Sequence, residues 1–329
     1  MTQGSTSSSA PALLALDWGT SSLRAFLLDT EGRSLATRGL PYGIQHLPQP
    51  GVEGFEQAFR EIAGAWLEAS PRLPVVASGM VGSAQGWKEM AYIPCPADVR
   101  VLAEQAGWIE SRSGVNILVA PGVLFDPPDA APDVIRGEEI QIAGALALHP
   151  EARAASCMVL PGTHSKWVRV ENGRITEFFT YMTGELYALL CQHSILGRLM
   201  PPAAGEIAEE AFVHGLRIAA DGAPGDLPHQ LFSTRTLGLT GRVPRTALRD
   251  YLSGLLIGHE IVSGLAKMRE VLKPGDTVLM IGEPALCRRY ELAFAKTTDH
   301  PTLHTADMAA AGLFRFAAAA GLIGTRVEA

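Results

Sequence analysis

The chain predicts an α/β protein built from two domains of related fold, each opening with a β-meander. Three observations lead there. A strand-turn-strand unit occurs twice, short buried runs alternate with helical periodicity, and 329 residues suffice for two cores. The first copy of the unit runs from the apolar stretch Ala12 to Leu16, through Gly19-Thr20-Ser21-Ser22, to Leu23 to Leu28 and a turn at Glu31-Gly32-Arg33. The second runs from Met158 to Leu160, through Gly162-Thr163-His164-Ser165, to Lys166 to Val170 and a turn at Asn172-Gly173-Arg174. Both read as strand, Gly-Thr-x-Ser, strand, Gly-Arg, strand, the pattern of a hairpin-linked meander.

The remaining elements follow in order. A helix-like segment, Gln57 to Leu67, follows the first meander, and another, Gly184 to Leu190, follows the second. Pro74 to Ala77 and Val115 to Val119 are short apolar runs that read as buried strands. Glu138 to Leu148 reads as a helix. Arg245 to Leu272 reads as a long one, with Leu248, Leu252, Leu255, Leu256, Val262 and Leu265 at helical spacing. Thr277 to Ile281 is a strand ending at Gly282, and Pro284 is well placed to open the next helix. A last helix runs from about Ala306 to Leu322, and loops occupy Asp126 to Asp133 and Asp221 to Pro228. The expected domains are 12–150 and 151–329, the latter with a final connecting helix, preceded by a disordered polar tail at 1–11.

Composition excludes several classes. The chain is 47% hydrophobic and 19% charged, outside the range of disordered proteins. Its net charge of −7 argues against a nucleic-acid binder, which shows a basic face. The tail has neither a basic n-region nor an apolar h-region, so it is not read as a signal peptide, and it leaves no room for an added helix-turn-helix. No uninterrupted apolar run is long enough for a membrane span; the C-terminal alanine-rich stretch comes closest, but Arg315 breaks it. Cys95, Cys157, Cys191 and Cys287 show no metal-type spacing and read as reduced thiols. A cytoplasmic protein is expected.

Four segments carry chemistry. Asp17 ends a buried strand and precedes Gly19, Thr20 and Ser21. A tight glycine turn lets backbone N–H groups approach a phosphate, and a carboxylate at the strand end suits Mg²⁺. The same residues also suit an ordinary capped turn. The second turn, Gly162, Thr163, His164 and Ser165 with Lys166, supplies a second cradle and a positive charge. A Ser/His hydrolase is disfavoured, because neighbours on a strand point to opposite faces and no nucleophile elbow is present. Glu138 and Glu139 follow Gly137 at a helix start. They read either as helix-dipole partners or as a general base for a sugar hydroxyl. The fourth segment, Gly282 to Ala285, is a strand-glycine-helix junction that could underlie a flat base.

Together these segments resemble the hexokinase/actin/Hsp70-type phosphotransferases, whose domains are ribonuclease-H-like with a cleft between them. The segments LALDWGTSSLRAFLLD, SGMVGSAQGWKEMAYIPCPA, PDVIRGEEIQIAGA, LPGTHSKWVRVENGRI and FFTYMTGELYALLCQHSIL resemble, more narrowly, the 2-dehydro-3-deoxygalactonokinases. The resemblance implies ATP-dependent phosphorylation of the 6-hydroxyl of 2-keto-3-deoxygalactonate. It implies Asp17 as the Mg²⁺-organising carboxylate and Gly19, Thr20 and Ser21 as the first phosphate cradle. Gly162, Thr163, His164, Ser165 and Lys166 form the second cradle, and Gly282 and Ala285 are adenosine contacts. Either Glu138 or Glu139 is the base. For the substrate, Arg24, Lys88 and Arg136 are candidate cations for a carboxylate. Gly82, Ser83, Gln85 and Trp87 form a small-residue loop able to bind a sugar, and Thr183 and Glu185 line the same cleft. The expected partners are small molecules, with neither nucleic acid nor membrane, and a homodimer stays open. A kinase for another sugar acid, or a nucleotide switch without catalysis, would share the fold.

Overall fold

The computed structural model describes residues 10–202 and 206–324. Of the expected tail, residues 1–9 lie outside the described residues. The chain divides into two compact units: Met1–Ala154, Glu171–Glu177 and Asp307–Ala329 form unit 1, and Ala155–Val170 with Phe178–Ala306 form unit 2. The final helix, expected to close the second domain, therefore belongs to unit 1.

Unit 1 is built on β1 (Leu13–Trp18), β2 (Leu23–Leu28), β3 (Ser34–Leu40), α1 (Val52–Ala69), β4 (Val75–Gly79), β5 (Tyr92–Pro94), α2 (Val99–Glu104), β6 (Gly107–Glu110), β7 (Asn116–Val119), β8 (Gly122–Phe125), β9 (Asp133–Ile135) and α3 (Glu138–Leu148). Its main sheet has the order β3-β2-β1-β4-β7-β6. β1, β2 and β3 form the antiparallel meander, and β1, β4 and β7 are parallel. All residues of β1 except Asp17 are buried, as a strand covered on both faces requires. Leu14, Leu16, Phe55, Phe59, Ile62 and Val75 share one core between the sheet and α1. The strands β5, β8 and β9 form a separate three-stranded sheet.

Unit 2 is built on β10 (Ala155–Leu160), β11 (Ser165–Glu171), β12 (Arg174–Tyr181), α4 (Thr183–His193), α5 (Glu209–Ala220), α6 (Leu227–Leu239), α7 (Leu248–Met268), β13 (Val278–Ile281), α8 (Pro284–Thr297) and β14 (Thr302–Thr305), except that the hairpin end Glu171–Glu177 of β11 and β12 counts with unit 1. The sheet order is β12-β11-β10-β13-β14. β11 and β12 are joined by Asn172-Gly173, both at positive φ (52° and 73°), the geometry a tight hairpin needs. The long helix is α7, shorter than expected at both ends: residues 245–247 form a 3₁₀ turn, and the chain leaves the helix before Lys273-Pro274. α7 approaches α5 without intervening side chains, since a Cβ on Gly254 would lie 2.0 Å from the Phe212 carbonyl oxygen.

The chain then re-enters unit 1 as α9 (Ala309–Ala319). Glycines bring α3 and α9 into backbone contact: a Cβ on Gly312 would lie 1.8 Å from Ile140 O, and one on Gly144 would lie 2.5 Å from Met308 O. Asp307, just before α9, meets Arg24 opposite the end of β1, and Gly137, just before α3, lies against Gly79 at the end of β4.

Candidate active site

Asp17 lies at the C-terminal end of β1, directly opposite Arg24 on β2. Cross-strand neighbours of opposite charge pair readily. The Arg24 guanidinium donates to Asp17 Oδ2 and, with its other edge, to Asp307 Oδ2. Asp307 Oδ1 accepts from the Ala309 N–H at 2.9 Å, so this residue also caps α9. Burial pushes the Asp17 carboxyl above its ordinary range, against the opposing pull of Arg24. Arg24 was expected to meet a substrate carboxylate; instead it holds two carboxylates of the protein.

Two glycine-dependent backbones meet beside Asp17. Gly79 ends β4 at φ 88°, where a Cβ would lie 2.6 Å from Trp18 O and 3.6 Å from Asp17 Oδ1. Gly137, at φ 109°, stands within van der Waals reach of Gly79 and turns the chain into α3. Ligand sites of open α/β sheets lie at such strand ends. The two glutamates that follow have different surroundings. Glu138 is half-buried, its Oε2 accepts from the Arg136 N–H at 3.0 Å, and its charge contributes to the Asp17 shift. Glu139 is buried and accepts the Gly137 N–H on both oxygens, at 2.8 and 2.7 Å. Burial, then the charge of Glu138, pushes the Glu139 carboxyl up to about 8.

That shift has a direct consequence for stability. Unfolded, the group loses its proton near 4.5; folded, it holds the proton to about 8. The protonated form favours the folded state, so this contribution is complete below the lower value and is lost as pH rises through the upper one. The urea midpoint of the wild type is expected to fall between pH 5 and pH 9, and Glu139→Gln to flatten that fall. An equal slope in both proteins would contradict the assignment.

The first turn is held from behind. Gly19 N–H donates to Ser22 O at 2.9 Å, while Gly19 O and Thr20 O accept from the N–H groups of Ile44 and Gln45, each at 3.1 Å. The side chains of Thr20 and Ser21 remain exposed. The loop after β4 distributes its residues differently from expectation. Ser83 Oγ is spent on Met80 O at 2.8 Å, and Gly82 is buried against Met90 and Arg136. Trp87 is a member of the core aromatic cluster, stacked on Phe55 at 5.8 Å and edge-on to Trp18 at 5.9 Å. Gln85 remains exposed and lines a pocket. Of the other expected cations, Lys88 Nζ donates to Trp108 O at 2.8 Å. Arg136 is buried over the Tyr92 ring, with one nitrogen on Met90 O at 2.8 Å and Nε and Nη1 lacking a partner.

In unit 2 the second turn presents Gly162, Thr163 and His164 outward, while Ser165 and Lys166 turn inward. Of the five residues expected to form the second cradle, three are outward and two are buried. Ser165 Oγ donates to Glu260 Oε1 at 2.7 Å, Trp167 Nε1 donates to the same oxygen at 2.9 Å, and Tyr290 Oη donates to Oε2 at 2.7 Å. Buried Lys166 donates to His164 O at 2.8 Å. Thr183 and Glu185 lie against this turn. Glu185 N–H donates to Thr163 O at 3.0 Å, its carboxylate pairs with His164 Nε2, and Thr183 joins the Glu260 network. A Cβ on Gly184 would lie 2.4 Å from Gly162 O, so α4 starts in contact with the turn.

Gly282 and Ala285 flank the start of α8. Glu283 caps this helix, accepting from the N–H groups of Ala285 at 3.0 Å and Leu286 at 2.9 Å, which holds its carboxyl below the ordinary range. A pocket of about 170 Å³ within unit 2 is lined by Gly162, Thr183, Tyr187, Leu286, Arg289 and Tyr290. Among the described residues no group of three or more His, Cys, Asp or Glu side chains forms a metal cage, and no helix is long and apolar enough to cross a membrane. All four cysteines are free thiols.

Sequence reasoning missed Asp307 and Glu260. Asp307 sits two residues before a helix and reads locally as a cap; its partner lies 283 positions away. Glu260 falls on the buried face of α7, where only the rarity of a carboxylate at such a position signals a role.

Comparison with known proteins gives the family and the fold. Residues 17–316 match the profile of the family described as DGOK, 2-keto-3-deoxy-galactonokinase. The chain is 37% identical to the 2-dehydro-3-deoxygalactonokinase of Escherichia coli (strain K12) over 281 residues, 85% of this chain and 88% of that protein. A solved Sinorhizobium meliloti structure, assigned provisionally to the same kinases, is similar at TM-score 0.80 and 33% identity, covering 93% of this chain and 98% of that one. The ADPNP-bound activator of 2-hydroxyisocaproyl-CoA dehydratase from Clostridium difficile shares the fold at TM-score 0.50 and 13% identity, covering 93% of this chain and 95% of that one. The architecture is that of the actin-like sugar kinases, and the chain belongs to the 2-keto-3-deoxy-galactonokinase family.

Proposed function

We infer that the chain transfers the γ-phosphoryl group of ATP to the 6-hydroxyl of 2-dehydro-3-deoxy-D-galactonate, giving the 6-phosphate and ADP. Family membership carries the reaction class; the convergence of Asp17, Gly79 and Glu138 carries the chemistry. Glu138 is proposed as the base. It takes the 6-hydroxyl proton as that oxygen bonds to the γ-phosphorus and the bridging oxygen leaves with ADP. Glu139 is a poor base at neutral pH because burial keeps it protonated. Its proposed role is to hold the Gly137 N–H and so fix the entry of α3.

Asp17 is proposed to organise Mg²⁺, which commonly takes one or two carboxylates together with phosphate oxygens: Arg24 bonds its Oδ2, while its Oδ1 lies beside the Gly79 turn. Bound there, Mg²⁺ would neutralise charge on the transferring group. In unit 2 the turn of Gly162, Thr163 and His164 is proposed to take the nucleotide phosphates. The pocket lined by Tyr187, Leu286 and Arg289, next to Gly282 and Ala285, is proposed to seat the base. The reaction is placed in the cytoplasm, where ATP is available and the four thiols stay reduced.

An ADP-release assay across a panel of sugars tests the reading. ADP formation should depend on the sugar acid, with kcat/KM for 2-keto-3-deoxygalactonate above that for its gluconate epimer and for simple hexoses. Slow ATP hydrolysis that no sugar stimulates would identify a nucleotide switch instead.

A further inference from the structure

Unit 1 contains a pocket that the phosphoryl-transfer groups leave unused. It measures about 440 Å³ and is walled by Gln45, Gln49, Val52, Phe55, Gln85 and Gly86 among others. The volume lies within the range of small-molecule sites. One wall is tied to the first turn through the Gln45 N–H bond to Thr20 O. The facing wall is the loop that continues β4, where Gly86 N–H donates to Ser83 O at 2.8 Å. The lining carries no charged side chain; its polar side chains are three primary amides over an apolar floor. Such a lining can take the neutral hydroxyl-bearing carbons of a ligand but offers no cation to a carboxylate, which would lie outside it.

An amide can present either its carbonyl or its NH₂, but here one neighbour removes the choice. A carboxylate only accepts hydrogen bonds. Glu61 takes the Gln57 Nε2 hydrogen at 2.7 Å and is also bonded by the Tyr42 hydroxyl. With its NH₂ turned to Glu61, Gln57 has its oxygen left for Gln49, whose Nε2 donates to it at 2.8 Å. The relay from Gln49 through Gln57 to Glu61 therefore has a single polarity, and the Gln49 carbonyl oxygen is the end left over.

We propose that this pocket binds the polyhydroxylated acceptor and that Gln49 reads one of its hydroxyls through a fixed acceptor oxygen, with Gln57 and Glu61 as positioning residues. The inference rests on the proposed reaction only in taking the sugar acid as the ligand. Polarity is the specific claim: the relay makes Gln49 an acceptor, so it selects a substrate group that can donate.

The test uses Gln49→Leu, Glu61→Leu and the double variant, with kinetics for both substrates and calorimetric titration of 2-keto-3-deoxygalactonate. Loss of one hydrogen bond should raise KM and Kd for the sugar acid about tenfold in Gln49→Leu, leaving kcat and the KM for ATP within about twofold. Glu61→Leu, which frees the amides to flip, should raise KM for the sugar acid by about threefold. The double variant should be no worse than Gln49→Leu, because Glu61 acts only through Gln49. Unchanged KM and Kd in Gln49→Leu, or multiplying effects in the double variant, would overturn the proposal. Normal wild-type turnover with an unaltered Gln49→Leu refutes the pocket alone. Absence of sugar-dependent turnover in the wild type refutes the proposed reaction, and the calorimetric comparison then still decides whether the pocket binds the acid.

Discussion

Glu138→Gln is expected to lower kcat by about 10²–10³-fold while KM for ATP stays within about twofold, because a general base contributes on this scale. Glu139→Gln is expected to keep turnover within about fivefold of wild type, since protonated Glu139 acts there as an acceptor and a glutamine oxygen accepts the same Gly137 N–H. The contrast separates two adjacent glutamates that the sequence alone cannot rank. Comparable losses in both variants would remove the distinction drawn from their burial. Turnover within tenfold of wild type in Glu138→Gln would reject the carboxylate base.

Glu260→Ala should be the most damaging single change in unit 2. It strands the Thr183 hydroxyl and three buried donors, the Ser165 hydroxyl, the Trp167 indole N–H and the Tyr290 hydroxyl. A buried donor left without a partner costs about 1–3 kcal/mol. After partial relaxation, a loss of about 3–5 kcal/mol is expected, read as a lower urea midpoint. Glu260→Gln keeps an oxygen for Ser165 and Trp167 but loses the acceptor for Tyr290, so about 1–2 kcal/mol is expected. Adding Tyr290→Phe to Glu260→Gln should recover part of that loss. The network joins the second turn to α7 and α8 within one unit, so the KM for ATP should rise in these variants while the KM for the sugar acid does not. A midpoint for Glu260→Ala equal to wild type would contradict the network.

Much of the architecture is legible in the sequence because its signals are local. The repeated Gly-Thr-x-Ser turn marks both meanders, Gly137 marks the start of α3, and Pro284 marks the start of α8. What is not legible depends on distant partners. Arg24 reads as an available cation until Asp17 and Asp307 are both brought beside it. Ser165 reads as part of a phosphate cradle until α7 places Glu260 under it. Trp87 reads as a stacking platform until Trp18 and Phe55 enclose it. The acceptor pocket escapes for the same reason: Gln45 and Gln49 lie in a Pro/Gly segment with no motif, and only the β4 loop facing them makes a pocket. α9 reads as part of the domain preceding it in the chain until Gly144 and Gly312 fit it against α3.

Phosphorylation of the acid's terminal hydroxyl can be read by nuclear magnetic resonance of the reaction mixture. The chain is incubated with ATP, Mg²⁺ and 2-keto-3-deoxygalactonate, and the phosphorus spectrum is recorded. One new phosphomonoester resonance coupled to the C6 protons is expected, growing in step with ADP. Inorganic phosphate alone, or a phosphoester coupled to any other carbon, would contradict it.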